Sequence, residues 1–316
     1  LISYLRDSGR DLEDVYRASD KGWVNLLDVA GLYPSAITDA DRSLLRRATK
    51  FLHVDDTTRI DAIAAILDGT FPSWAEASVF DRKIMSLVFW NLFNDGMDPK
   101  TGASWKSIDE AFASLRVSKP FVFEVSQLLA VLKSKISQVG ETFPLASGPS
   151  PLKAHATYTR YELLGALGYG RLPGSSVYED GRSRTISGAR EGVYFVEEAS
   201  VDLFLITLQK SASLSPSIRY HDYAISKSLF HWESQSRTTP ESPTGQRYIN
   251  HEALGGDVLL AVRASATDES GTQHFKLLGP ARYVRHEGTK PIKIWWELKI
   301  PMDTDSFDTA AAAKVS

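Results

Sequence analysis

The sequence contains no cysteine, which excludes disulfides, thiolate zinc sites and a cysteine nucleophile at once. No apolar run approaches the roughly 18–20 residues that a membrane-spanning helix needs. No secretory signal pattern is visible, so the expected address is the cytoplasm, with no membrane partner. Positive charge is not in excess either. Against 36 Lys and Arg stand 39 Asp and Glu, a net charge of −3 over 316 residues. That balance argues against a protein that coats nucleic acid by charge alone. Gly-x-Ser-x-Gly elbows and Walker-type phosphate loops are missing. Gly165, Gly168, Gly170 and Gly174 fall near a Gly-rich spacing, but they follow a helix rather than a strand, and the dinucleotide reading fails on that context. The histidines show no His-x-x-x-His spacing on a helix, and Asn250-His251-Glu252 lacks the flanking pattern of a nuclease metal motif. Neither a metal site nor a catalytic residue is therefore expected. The chain starts at Leu1, which predicts a piece of a longer polypeptide.

What is present divides into two halves, as the length suggests. Residues 1–139 carry helical periodicity. Thr38-Asp-Ala-Asp41 predicts a capping box ahead of Leu44, Leu45, Ala48, Phe51 and Leu52. Asp55 or Asp56 opens a helix that Gly69 ends, residues 76–93 form the most apolar helix, and another starts near Pro120. Arg42, Arg46, Arg47 and Lys50 make a basic ridge, which is either a solvated face or a phosphate contact. Gly140 to Pro151 is rich in Gly and Pro, and residues 140–152 are expected to be a linker.

From residue 153 the pattern turns β-rich. Thr159 to Gly168 reads as a short capped helix, and residues 170–190 as a loop carrying Arg182, Arg184 and Arg190. Strands are predicted at 192–196 and 202–209, in a hairpin of 257–263 with 274–278, and at 281–286 and 293–300. The fold class is α+β: an all-α domain followed by a curved sheet or barrel with short helices. Residues 303–316 are expected to be a disordered tail.

The chemically densest stretch runs from Arg219 to Thr238. Tyr220, Tyr223 and Trp232 offer flat faces for a base, Asp222 an acceptor suited to a cytosine amine, and Ser234, Gln235 and Ser236 further hydrogen bonds. Arg182, Arg190, Lys210, Arg219 and Arg237 are candidates to hold phosphates. On residue types alone, Phe230 and Trp232 serve equally well as core aromatics and Asp222 as a turn cap.

Five segments carry a resemblance. Arg190-Glu-Gly-Val193, Phe204 to Lys210, Tyr220 to Ser226, Leu229 to Ser236 (with Phe-His-Trp-Glu-Ser-Gln) and Ser242 to His251 resemble a domain at the C-terminus of bacterial DEAD/DEAH-box helicase-like proteins. Many of those carry an N-terminal phospholipase-D-type nuclease. The resemblance covers about residues 155–302, and Tyr4 to Gly9 with Gly22-Trp23 is similar to the helical region that precedes that domain. The family looks like type IV, modification-dependent restriction enzymes, whose C-terminal domain is related to the SRA fold that flips a modified cytosine out of DNA.

The resemblance implies an SRA/PUA-like target-recognition domain over residues 153–302, with residues 1–139 as a helical coupler. It implies 5-methylcytosine-type double-stranded DNA as partner, together with the helicase and nuclease domains of the same polypeptide. ATP and Mg belong to the motor, and no cofactor is expected in this fragment. Two other readings stay open. One is a nuclease or base-acting hydrolase using His221, Asp222 and His231; the other is a protein-interaction module that regulates the motor.

Overall fold

A computed structural model describes residues 1–19, 22–137, 140–173, 186–209, 222–235, 238–268 and 271–313. The chain forms two compact units, Leu1–Val139 with Tyr161–Ala189, and Gly140–Arg160 with Arg190–Ser316.

The first unit is helical: α1 (Ile2–Ser8), α2 (Leu12–Ser19), α3 (Trp23–Val29), α4 (Asp39–Ala48), α5 (Thr57–Asp68), α6 (Val79–Leu92), α7 (Ile108–Val117) and α8 (Lys119–Lys135). Local signals set several ends. Thr38 and Asp41 form the capping box of α4, Asp56 caps α5 through the Arg59 amide, and Gly69 stops α5 in the left-handed region. The helix α7, which the sequence reading did not anticipate, buries Ile108, Ala111, Phe112 and Leu115 at i, i+3, i+4 and i+7. No helix among the described residues is long and apolar enough to cross a membrane.

Polar residues fix how these helices meet. The fully buried Glu124 of α8 accepts from the Tyr16 hydroxyl at 2.6 Å and from the Trp23 and Val24 amides at 2.8 and 2.6 Å. It thereby supplies α3 with the cap that Gly22 lacks, and a Cβ at Gly22 would overlap its Oε1. Burial and the Glu124 charge push the Tyr16 pKa far above its usual value. The basic ridge resolves into local partners. Arg42 pairs with Asp28, Arg47 donates to the Leu92 carbonyl at the end of α6, and Lys50 reaches Asn94.

The helix α9 (Arg160–Ala166) lies in the β-rich half of the sequence, yet the segment Tyr161–Ala189 joins the helical unit. Its Glu162 is buried and meets Arg59 at 3.1 Å and His53 at 2.5 Å, while Arg59 also binds Asp55 and Asp56. Three carboxylates around one buried guanidinium make removal of any partner costly.

The second unit holds the sheet. Residues 140–152, expected to be a linker, form most of a hairpin of β1 (Glu141–Leu145) and β2 (Gly148–Ala154), whose turn amide Ala146 is accepted by Asp257 at 2.6 Å. Then come β3 (Thr157–Tyr158), β4 (Val193–Val196), β5 (Val201–Thr207), β6 (Tyr223–Ser226), β7 (Leu229–Glu233), α10 (Pro243–Asn250), β8 (Asp257–Arg263), the short β9 (Thr267–Asp268) and β10 (Gly271–Thr272), β11 (Phe275–Glu287), β12 (Lys293–Leu298) and α11 (Thr304–Ala312).

The large sheet has the order β4-β5-β8-β11-β12-β7-β6, with β3 also on β11. All its pairs are antiparallel except β5 with β8. It is open: among the described residues nothing joins β4 to β6, so the expected curved sheet or barrel is an open mixed sheet. Bulges in β11 at Leu277/Gly279 and Tyr283/Arg285 bend it, and Gly279 at φ 101° takes a conformation that side chains disfavour.

One face of the sheet packs a core of Phe204, Phe230, Trp232, Tyr248, Ile294 and Trp296 among others. The Phe204 ring sits 4.3 Å from Trp232 and 5.1 Å from Tyr248. α11 occupies most of the stretch expected to be a disordered tail, and its Ala310 and Phe307 join this core.

Candidate nucleic-acid interface

Strand β12 places two tryptophans side by side in sequence, and a strand points neighbours to opposite faces. Trp296 enters the core with 0% exposure, so Trp295 must stand on the other face, where it is partly exposed. Register does the rest. Arg285 of β11 pairs with Trp295, Trp295 with His231 of β7, and His231 with Tyr223 of β6. Four strands thus contribute one row of side chains.

The rings in that row touch. Tyr223 stacks on His231 with centroids 4.8 Å apart and 24° between planes. His231 meets Trp295 edge-on at 4.8 Å, and the Arg285 guanidinium lies 3.5 Å from the Trp295 centroid. Cation–π contact of this kind is worth about 0.5–2 kcal/mol, depending on desolvation.

The electrostatics of this face are balanced. Arg282 pairs with Glu297, Arg285 with Glu287, and Lys293 stands 3.8 Å from Glu233. Glu297 raises the Arg282 pKa by hydrogen bond and charge. Each cation already faces a carboxylate, so the row offers flat aromatic and guanidinium surface rather than a phosphate track. Ile225 and Val284 add exposed apolar surface nearby.

The residues singled out from the sequence distribute as follows. Tyr223 is in the row. Trp232, 4% exposed, is in the core on the opposite side of the sheet, so Tyr223 and Trp232 do not line one pocket. Asp222, 5% exposed, accepts the Glu233 amide at 3.0 Å and ties the start of β6 to the end of β7. Ser234 is fully buried; its hydroxyl accepts from the Ile292 amide at 2.9 Å and donates to the Gln235 carbonyl at 3.2 Å. Gln235 and Arg190 are exposed. Tyr220, Arg182, Arg184, Lys210, Arg219, Ser236, Arg237 and His221 lie outside the described residues.

His231 and Asp222 are both buried, and no group of three metal-holding side chains occurs among the described residues. Nothing local in the sequence brings Trp295 and Arg285 together; the β11–β12 register does. The adjacent tryptophans were the available signal, because period-2 alternation sends one of them away from the core.

A second cluster braces the sheet from behind. Arg247 of α10 donates to both oxygens of buried Asp202, at 2.7 and 2.9 Å, and lies 4.0 Å from the Phe195 centroid. Burial pushes the Asp202 carboxyl above its usual range even against Arg247. Both ring nitrogens of buried His251 face carbonyls, of Tyr248 at 2.9 Å and Ala281 at 3.1 Å. These contacts clamp α10 onto β5 and β11.

The family described as Domain of unknown function (DUF3427) matches residues 178–310, the span that contains this row and its supporting strands. No curated protein matches the chain.

Proposed function

We propose that the sheet-bearing unit is an SRA-like target-recognition module for double-stranded DNA with a modified cytosine of the 5-methylcytosine type. On this reading the helical unit couples it to helicase and nuclease domains of the same polypeptide. The fragment itself has no catalytic role, and ATP and Mg serve the motor. The observation that carries the reading is the row Tyr223–His231–Trp295–Arg285, a partly exposed stacking surface built across four strands. An extruded base needs such a surface, and each stacked base contributes about 1–3 kcal/mol. The balanced charge of the face suits a module whose grip on phosphates comes mainly from other parts of the assembly.

The test is a binding series with the 316-residue chain on matched duplexes carrying cytosine, 5-methylcytosine, 5-hydroxymethylcytosine, 6-methyladenine or phosphorothioate linkages. The expected result is tighter binding to one modified cytosine. Equal affinity for every duplex overturns modified-base recognition.

A further inference from the structure

Helix α1 buries one side chain, Leu5, and leaves Ile2, Tyr4 and Arg6 exposed. Seven residues are too few to hold a helix in water, so α1 depends on what packs against it. Gly9 ends it at φ 60°, in the left-handed region, and the Arg10 amide donates back to the Leu5 carbonyl at 3.2 Å. This sharp turn into α2 leaves a cavity of about 230 Å³ bounded by α1, the start of α2 and the last turns of α8.

The floor of the cavity is apolar: Leu5, Leu12 and Val131 line it and are otherwise buried. An apolar cavity of about 150 Å³ already takes a benzene ring, whereas whole small-molecule ligands use about 300–1,000 Å³. The space under α1 therefore suits a single large side chain. Its rim is basic. Lys135 pairs with Asp11 at one end, and each neutralises the other. Arg6 and Arg10 remain. Among the described residues the side chain of neither meets a carboxylate or any other hydrogen-bond acceptor. Both are exposed, so every edge of both guanidinium forks is open to an incoming carboxylate.

We propose that this cavity is a docking site for an acidic segment of another protein. The segment inserts one large apolar side chain between α1 and α8 and sets its flanking carboxylates against Arg6 and Arg10. Charge complementarity selects the acidic partner, and the enclosed apolar floor supplies the anchor point that a docked segment needs. The site goes beyond the DNA-recognition reading and does not rest on it, because it shares no residue with the row Tyr223–His231–Trp295–Arg285.

The test titrates the 316-residue chain into a fluorescein-labelled peptide, Gly-Asp-Glu-Phe-Leu-Asp-Glu-Gly, read by anisotropy, with hydrogen exchange of the α1 amides measured alongside. Saturable binding is expected, with slower exchange in α1 when the peptide is bound. Alanine in place of the peptide's Phe and Leu should weaken binding by about tenfold or more, through loss of the apolar anchor. Arg6→Gln and Arg10→Gln should each weaken it by up to about fivefold at low salt, the range of exposed ion pairs. Ser134→Phe, at an exposed position on the cavity wall, fills the entrance and should weaken binding by about tenfold or more. No saturable binding overturns the proposal. So does equal binding of the alanine peptide, which is attraction by charge alone, and so does an unchanged affinity in the double arginine variant. A Ser134→Phe protein that melts like wild type and binds equally well overturns it too. A concentration-dependent dimer that Ser134→Phe disperses assigns the cavity to a second copy of the chain, and the proposal falls. Should Ser134→Phe not fold, the arginine variants and the alanine peptide decide the matter.

Discussion

Arg285 lies flat over Trp295, its guanidinium carbon 3.5 Å from the ring centroid, across the β11–β12 pair whose register sets the two opposite each other. Next in sequence, Trp296 is fully buried on the other face. If the row binds DNA as proposed, the two tryptophans separate binding from most of the stability. On the proposed reading Trp295→Ala should weaken DNA binding by about 1–3 kcal/mol, the value of a stacked base, at a stability cost of about 0.5–2 kcal/mol from the lost Arg285 contact. Trp296→Ala should cost about 3–5 kcal/mol of stability. Fluorescence anisotropy and chemical denaturation on both variants check this. A Trp295→Ala protein with unchanged affinity removes the row from the binding surface.

Asp222 offers a cleaner distinction than its composition suggested. Because it accepts the Glu233 amide, Asp222→Ala leaves a buried N–H without that acceptor and should cost about 1–3 kcal/mol. Asp222→Asn retains a side-chain oxygen and should cost less. The ratio of affinities for modified and unmodified duplex should stay the same in both. A changed ratio at unchanged stability would instead put the carboxylate against the ligand.

In the helical unit, Gly22→Ala and Glu124→Ala should destabilise through the same contact. The first drives a methyl into the carboxylate, and the second strips the acceptor from the Tyr16 hydroxyl and two amides. Each should cost at least about 2–3 kcal/mol, measured by denaturant unfolding. The double variant should cost less than the sum, because both act on one site. Strict additivity counts against the shared contact.

Lys50 predicts a pH dependence. Burial first, then the Arg47 charge, bring its pKa down to about 8 from 10.5. Between those two values the unfolded chain holds more protons than the folded one, so this lysine's contribution to stability rises as pH rises through the window. Below pH 8 its destabilising effect is present in full. Lys50→Met should flatten the slope of stability against pH between about 8 and 10.5, relative to wild type. An unchanged slope rules out the depressed lysine.

Much of the helical unit was legible because its signals are local. Thr38 with Asp41, Asp56 and Gly69 act within four residues of the helix ends they define, and an apolar stripe at helical spacing needs no distant partner to be recognised. The strands β4, β5, β8, β11 and β12 were legible for the same reason, through their β-branched and aromatic runs, whereas β1, β2, β3, β6 and β7 were not. The Gly- and Pro-rich segment around residues 140–152 misled, because such residues serve a tight hairpin as well as a linker.

By itself, then, the sequence determined the passage from a helical to a β-rich half, several helix caps and the alternation that sends neighbouring strand residues to opposite faces. Only the tertiary structure decided which face is buried. That choice depends on pairing between strands far apart in the chain: β12 lies between β11 and β7, and β5 runs parallel to β8. Those pairings placed Trp232 in the core and Trp295 on the open face. They also set Thr207 beside Arg263, while residues 304–312 pack against the core as a helix. Alternation fixes relative direction along one strand, whereas burial belongs to the partners that the whole fold assembles.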